Sequence, residues 1–265
     1  MRVHLVGVAG TGMGALATLF REAGHTVVGS DLSFAPPMGP ALEAAGGGCM
    51  QGYGAANLEP RPDLVVIGNV IRRDNPEAAA AEAMGLPRTS MSGALREHFL
   101  KRRRPLVVSG THGKTTTTAM ATALLAAAEL EPGWFLGGVP KDRTPAGLGA
   151  RGVRLASRAK LLPGFDGTGP APFVVEGDEY DAVYWQKTPK AWDYVGIGDD
   201  DVLVLTSVEH DHIDIYPDAA AYEAAFAGLL ARMPGGGLVV GDGRDPVVRR
   251  LLAADTWSTV LYALE

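Results

Sequence analysis

The chain has 265 residues, enough for one large domain or two ordinary ones. Its 46% hydrophobic and 20% charged content is that of a globular protein. The net charge of −6 lacks the basic face of a general nucleic-acid binder, and the single Cys49 excludes an intrachain disulfide and suits a reducing compartment.

Val3–Val8 reads as a buried strand, Met13–Ala23 as a helix and Thr26–Gly29 as a second strand. The short apolar run at the N-terminus enters a glycine loop at once, which is unlike a signal peptide. Phe34–Pro40 reads as a Pro-rich loop, and Asp63–Ile67 as a strand framed by Pro62 and Gly68. Alternating β and α elements predict a parallel sheet covered by helices. The basic run Lys101-Arg102-Arg103-Arg104 reads as a solvated helix end plus linker, not as a nucleic-acid patch. It also marks the expected division into domains 1–103 and 104–265, because the strand–loop–helix design restarts after it.

In the second half Leu106–Ser109 is a predicted strand and Lys114–Leu130 a long helix. The Ala-rich part of that helix is the nearest approach to a membrane span, but Glu129 and Glu131 close it, so a soluble cytoplasmic protein is expected. Pro140–Pro172, rich in Gly, Pro and Arg, has no assignable structure and suits a flexible insertion. Phe173–Glu176 and Val202–Thr206 are predicted buried strands, Ala219–Met233 a helix and Gly237–Val240 a strand. The fold class is α/β, with an N-terminal Rossmann-like parallel sheet followed by a P-loop-type central α/β domain. The chain stops at Glu265 without a capping or tail pattern, so that domain is expected to be incomplete.

Two glycine loops carry the chemistry. Gly110-Thr111-His112-Gly113-Lys114-Thr115-Thr116 lies between a predicted strand and a predicted helix. Glycines let backbone N–H groups approach a phosphate, the lysine adds a point charge for the β/γ-phosphates, and the adjacent hydroxyl suits Mg²⁺. Val108 stands where the longer phosphate-loop pattern has its first glycine, so this is a shorter form with the same physics. In an open parallel sheet, ligands sit beyond the strands' carboxyl ends. Glu176 ends one predicted strand and Glu209-His210-Asp211-His212 follows another. Thr115 and Glu176 are natural oxygen ligands for Mg²⁺, and His212 is a less usual one. Zinc on His210-Asp211-His212 is the alternative, although no third nitrogen or sulfur ligand is evident. The first loop, Gly7-Val8-Ala9-Gly10-Thr11-Gly12-Met13-Gly14, is followed by Asp31, 19 residues past Gly12. That approaches a dinucleotide fingerprint and leaves an NAD-dependent dehydrogenase open, but any pyrophosphate suits the same cradle.

The paired loops, with Glu176 and His212 at strand ends, resemble the Mur ligase family over nearly the whole chain. Gly110-Thr111-His112-Gly113-Lys114-Thr115-Thr116-Thr117 and Glu209-His210-Asp211-His212-Ile213-Asp214-Ile215-Tyr216 look like its two motifs. Further stretches resemble the branch that takes a murein tripeptide, L-Ala-γ-D-Glu-meso-diaminopimelate, as amine substrate. They are Gly10–Gly14, Pro36-Pro37-Met38, Gln51-Gly52-Tyr53, Ile67-Gly68-Asn69, Asp74-Asn75-Pro76, Gly137-Gly138-Val139-Pro140 and Glu176–Asp181. The sister branch, which takes L-alanine, typically has Ser where Tyr180 stands, and it is the alternative.

The resemblance implies ATP and Mg²⁺ as cofactors and UDP-N-acetylmuramate as carboxyl substrate, with no nucleic-acid or membrane partner. It implies that Gly10, Thr11, Gly12, Met13, Gly14, Asp31 and Asn69 hold the UDP moiety. Gly110–Thr116 would hold ATP, with Lys114 on the β/γ-phosphates. Thr115 and Glu176 would hold Mg²⁺, and His212 a second ion. Lys114, Glu176 and His212 would be catalytic, through an acyl phosphate that an amine then attacks. Three departures stand out. Thr206-Ser207 replace an Asn usual before the second motif, and no lysine follows Lys190 to serve as the carbamylated lysine of several members. The family's third domain, which receives the amine, lies outside these residues, so the 265 residues alone are expected not to turn over. A nucleotide-binding module without catalysis is the remaining reading.

Overall fold

A computed structural model of the chain describes residues 1–36, 39, 40, 42, 48–137, 153, 154, 170–253 and 256–263. Pro37 and Met38, Gly138-Val139-Pro140 and most of Pro140–Pro172 lie outside the described residues. The chain forms two compact units.

The first unit comprises Met1–Leu95 with Asp181–Lys187 and the short strand at 153–154. Its elements are β1 (Arg2–Val6), α1 (Thr11–Glu22), β2 (Thr26–Asp31), β3 (Gly48–Gln51), β4 (Leu64–Ile67), α2 (Pro76–Ala83), β5 (Arg88–Ser90) and α3 (Met91–Leu95). The strands run in the order β3-β2-β1-β4-β5, and every neighbouring pair is parallel. Leu5, Val6, Val65, Val66 and Ile67 are fully buried, as expected of parallel strands covered on both faces. The order reverses between β1 and β4, so the crevice for a ligand falls at their carboxyl ends.

One buried polar network ties this unit together. Glu77, fully buried in α2, contacts His4 Nε2 of β1 and accepts from Ser30 Oγ of β2 at 2.6 Å. Its other oxygen accepts from Asn57 Nδ2 at 2.7 Å and from the Gly54 N–H at 3.0 Å. Burial pushes the Glu77 carboxyl up, but the bonds from His4, Ser30, Asn57 and Gly54 outweigh it and hold it below its ordinary value.

In chain order after α3 come β6 (Arg104–Ser109), α4 (Lys114–Ala127), β7 (Gly133–Phe135), β8 (Val153–Arg154), β9 (Pro172–Glu176), β10 (Asp181–Val183), β11 (Gln186–Pro189), β12 (Val202–Leu205), α5 (Ala219–Leu230), β13 (Leu238–Asp242), α6 (Pro246–Leu251) and β14 (Ser258–Tyr262), of which β8 and β10 belong to the first unit. Strands of the second unit lie in the order β14-β13-β12-β6-β9-β7, and the neighbours are parallel. Phe173, Val174 and Val175 of β9 are fully buried. No helix among the described residues is long and apolar enough to cross a membrane.

Several boundaries differ from the sequence expectation, each for a local reason. β1 stops at Val6 because Gly7 turns with φ +86°. α4 stops at Ala127, short of Leu130. Glu129 takes φ +58°, and the Leu130 N–H reaches back to Leu125 O, a Schellman-type close. Arg104 belongs to β6 rather than to a linker, and its guanidinium meets Asp200 at 3.1 Å. Gly39 and Pro40, expected in a loop, are helical.

Candidate functional site

Helix starts divide into two kinds. Asn75, Asp218 and Asp245 cap α2, α5 and α6, each accepting backbone N–H groups of its first turn. By contrast, α1 begins after Gly10 and α4 after Gly113, with no side-chain cap bond. These two helices follow the glycine loops, and their first N–H groups are left to other acceptors.

In the second unit the loop between β6 and α4 is shaped by two left-handed glycines, Gly110 at φ +131° and Gly113 at φ +78°. A Cβ on Gly110 would stand 2.2 Å from Thr206 Oγ1 and 2.8 Å from Ser207 O. That close approach is real bonding: Thr206 Oγ1 donates to His112 O at 2.6 Å, Ser207 O accepts from the Thr111 N–H at 2.9 Å, and Ser207 Oγ from the His112 N–H at 3.1 Å. Thr206-Ser207, standing where the family usually has Asn, therefore stitch the loop to the end of β12. Thr111 Oγ1 adds bonds to Glu209 O and Tyr222 Oη at 2.9 and 3.1 Å. Its side chain is buried and serves the scaffold.

A hollow of about 310 Å³ opens above the loop, lined by Thr111, His112, Gly113, Lys114, Thr115, Thr116 and Glu176. It is large enough for a chain of phosphates. β6 and β9 pair with Val108 opposite Glu176, so the carboxylate sits one strand over from the loop. Thr115 Oγ1 donates to Glu176 Oε1 at 2.6 Å, and the Gly137 N–H to Glu176 Oε2 at 2.7 Å. A hydroxyl and a carboxylate at this separation form a pair of hard oxygen donors, which fits a Mg²⁺ ion that keeps most of its waters.

His212, expected to help hold a second ion, faces Glu179 and Tyr180. Its Nε2 lies 2.7 Å from Glu179 Oε1, and its Nδ1 3.0 Å from Tyr180 Oη. Nε2 thus faces a carboxylate, and Nδ1 pairs with the tyrosine hydroxyl. Burial, with Asp214 and Glu179 nearby, pushes the Tyr180 hydroxyl up, which keeps it a donor. Both ring nitrogens thus face side chains of this chain. Zinc on His210-Asp211-His212 gains no support. His210 Nε2 meets Tyr216 O at 3.1 Å, and no group of three His, Cys, Asp or Glu side chains among the described residues is arranged for a metal.

Sequence reasoning missed Glu179. It is 3% exposed and also meets Lys114, whose Nζ bonds Gly110 O at 2.7 Å, Thr111 O at 3.1 Å and Glu179 Oε1 at 3.2 Å. The acidic run Glu176–Asp181 offered four carboxylates and no periodicity to choose among them. Asp178 goes to the buried Lys190 at 3.1 Å, a structural anchor.

In the first unit the loop after β1 is closed by Asp31, whose carboxylate accepts from the Ala9 and Leu32 N–H groups at 2.9 and 2.7 Å. The Tyr53 hydroxyl lies 3.4 Å from it; burial, then Asp31, pushes that phenol up to about 12. Gly10, Thr11, Gly12 and Asn69 sit at the carboxyl ends of β1 and β4. Met13, expected against a ligand, is instead 5% exposed in the core, and the Gly14 N–H is spent on Gly10 O inside α1.

Fold and loops define a class: a Rossmann-like unit joined to a P-loop-type α/β unit. Comparison with known proteins narrows it. Residues 2–103 match the family described as "Mur ligase family, catalytic domain". The UDP-N-acetylmuramate–L-alanyl-γ-D-glutamyl-meso-2,6-diaminoheptandioate ligase of Escherichia coli K12 is 38% identical over 97% of this chain and 52% of its own length. The UDP-N-acetylmuramate–L-alanine ligase of Arthrobacter sp. FB24 is 38% identical over 94% of this chain and 47% of its own. Among solved structures, the UDP-N-acetylmuramate:L-alanyl-γ-D-glutamyl-meso-diaminopimelate ligase from Neisseria meningitides superposes with a TM-score of 0.84 at 35% identity. That match covers 98% of this chain and 77% of the other. The chain belongs to the Mur ligase family. It spans about half the length of the curated relatives it matches.

Proposed function

We propose that this chain carries the UDP-sugar and ATP-phosphate sites of an ATP-dependent ligase that joins L-Ala-γ-D-Glu-meso-diaminopimelate to UDP-N-acetylmuramate. Residues 1–103 hold the UDP moiety on Gly10, Thr11, Gly12, Asp31 and Asn69, and 104–265 hold ATP on Gly110–Thr116. The observation that carries the reading is the Thr115–Glu176 pair beside the loop hollow, at 2.6 Å. It comes with 35% identity to a solved tripeptide ligase over nearly the whole chain.

In this mechanism the muramoyl carboxylate oxygen attacks the γ-phosphorus of ATP and ADP leaves. The amine of the peptide then attacks the acyl carbon, phosphate leaves and the amine's proton is lost. Lys114 neutralises charge on the β/γ-phosphates, and the N–H groups at the start of α4 fix their direction. Thr115 and Glu176 would hold Mg²⁺, which when bound supplies further charge neutralisation. His212 would serve a second ion only after leaving Glu179. The reaction asks little covalent work of the protein, which fits a site built from donors and one ammonium.

The test is phosphate release by the natural gene product carrying this sequence, with UDP-N-acetylmuramate, the tripeptide, ATP and Mg²⁺. Release well above background is expected, and none would overturn the proposal. A second reading, UDP-N-acetylmuramate:L-alanine ligase, is favoured by the 38% identity to the Arthrobacter enzyme. Tyr180 weighs against it, because its ring spans to His212 and a serine there would not reach. L-Alanine replacing the tripeptide in the same assay distinguishes the two.

A further inference from the structure

The Lys114 ammonium has three N–H donors. They meet three groups of this chain: Gly110 O, Thr111 O and the Glu179 carboxylate. A phosphate oxygen that takes Lys114 must displace one of them. The two carbonyls belong to the loop itself and travel with the lysine. The carboxylate comes from the segment beyond β9 and is held in place independently. His212 Nε2 lies 2.7 Å from Glu179 Oε1, and Tyr222 Oη, which also faces Thr111 Oγ1, lies 3.4 Å from the same atom. Burial pushes the Tyr222 hydroxyl up, so it stays a donor. Glu179 therefore keeps the His212 contact when the lysine departs, while losing the ammonium beside it.

We propose that Glu179 is a positioning residue that competes with nucleotide phosphates for Lys114. It fixes where the ammonium waits, aimed by the loop carbonyls, and it weakens phosphate binding by the strength of one charge-assisted hydrogen bond in a buried setting. The inference rests on the phosphate-site reading above and adds a sign to it: removing this carboxylate's charge strengthens binding. A residue that merely supported the loop would do the opposite.

The experiment is calorimetric titration of the chain with magnesium tripolyphosphate. Glu179→Gln is expected to bind about tenfold more tightly than the parent, the scale of a hydrogen bond to a charged group. Asp214→Asn, which removes an exposed acid near Tyr180, is expected to change affinity less than about twofold. Equal or weaker binding by Glu179→Gln overturns the inference, and so does equal tightening by both variants, which would mean general electrostatics. Failure of parent and Glu179→Gln alike to bind overturns the phosphate-site reading and this inference with it. A crystal structure of the parent with magnesium tripolyphosphate tests the same point if Glu179→Gln does not fold. Lys114 Nζ is expected on a phosphate oxygen and off Glu179, and a retained ion pair overturns the proposal.

Discussion

Lys114 and Glu179 stand 3.1 Å apart with side chains 13% and 3% exposed, so neither can lose the other without consequence. Lys114→Ala is expected to abolish tripolyphosphate binding by calorimetry. It should also lower unfolding stability by about 1.5–3 kcal/mol, because a buried carboxylate loses a charged partner. The double variant Lys114→Ala/Glu179→Gln should regain much of that stability in urea denaturation and none of the binding. Lys114→Ala that still binds would contradict the assignment. At the neighbouring position the hydroxyl is the functional atom. Thr115→Val keeps the shape and removes one hard oxygen, so tripolyphosphate binding should lose its Mg²⁺ dependence. Binding as strongly Mg²⁺-dependent as in the parent would refute that role. The residue types at 114, 115 and 176 were legible in the sequence because each chemistry has few candidates beside a glycine loop. Glu179 was not, because which of four neighbouring carboxylates faces inward depends on how the chain leaves β9.

Among the elements, the two helices that open without side-chain caps are the two that follow glycine loops, and each loop depends on a glycine in an unusual conformation. Gly110→Ala would force a Cβ against Thr206 Oγ1 and Ser207 O at φ +131°. It should cost about 2–3 kcal/mol of stability and remove phosphate binding, whereas unchanged values for both would disprove the tight seat. In the first unit Glu77 joins α2 to β1, β2 and the turn at Ala55–Leu58. Its native carboxyl lies below the ordinary 4.5, so the unfolded chain takes up that proton first as pH falls. The contribution is therefore full above about pH 4.5 and fades as pH drops through the lower native value. Glu77→Gln should flatten the acid side of the stability profile in denaturant titrations, and an unaltered profile would rule the network out as its cause. Strong elements such as β1, α4, β9 and β12 were readable from apolar runs. β3, β5 and β14 were not, since Gly48–Gln51 and Arg88–Ser90 carry few apolar side chains and Ser258–Tyr262 is exposed. Their pairing comes from a neighbouring strand and leaves no periodic mark.

Across the whole molecule, each unit carries its own parallel sheet and its own glycine loop at the sheet's carboxyl edge. Two ligands are therefore expected to stabilise the chain independently. UDP-N-acetylmuramate and MgATP, each at about 100 times its dissociation constant, should add about 2.7 kcal/mol apiece to unfolding stability, and NADH none. Stabilisation by NADH and not by UDP-N-acetylmuramate would favour the dehydrogenase reading of the first loop. What the sequence determined by itself was the repeated strand–loop–helix design and which residue types stand on the second loop. Glycine, lysine and threonine have physical uses that spacing alone reveals. Tertiary structure alone decided the wiring: that Asp31 closes its own loop, that Met13 serves the core, and that His212 and Lys114 share Glu179. Those contacts join residues 22 to 65 positions apart, and the distance between such residues is set by sheet order and register, which no local pattern encodes.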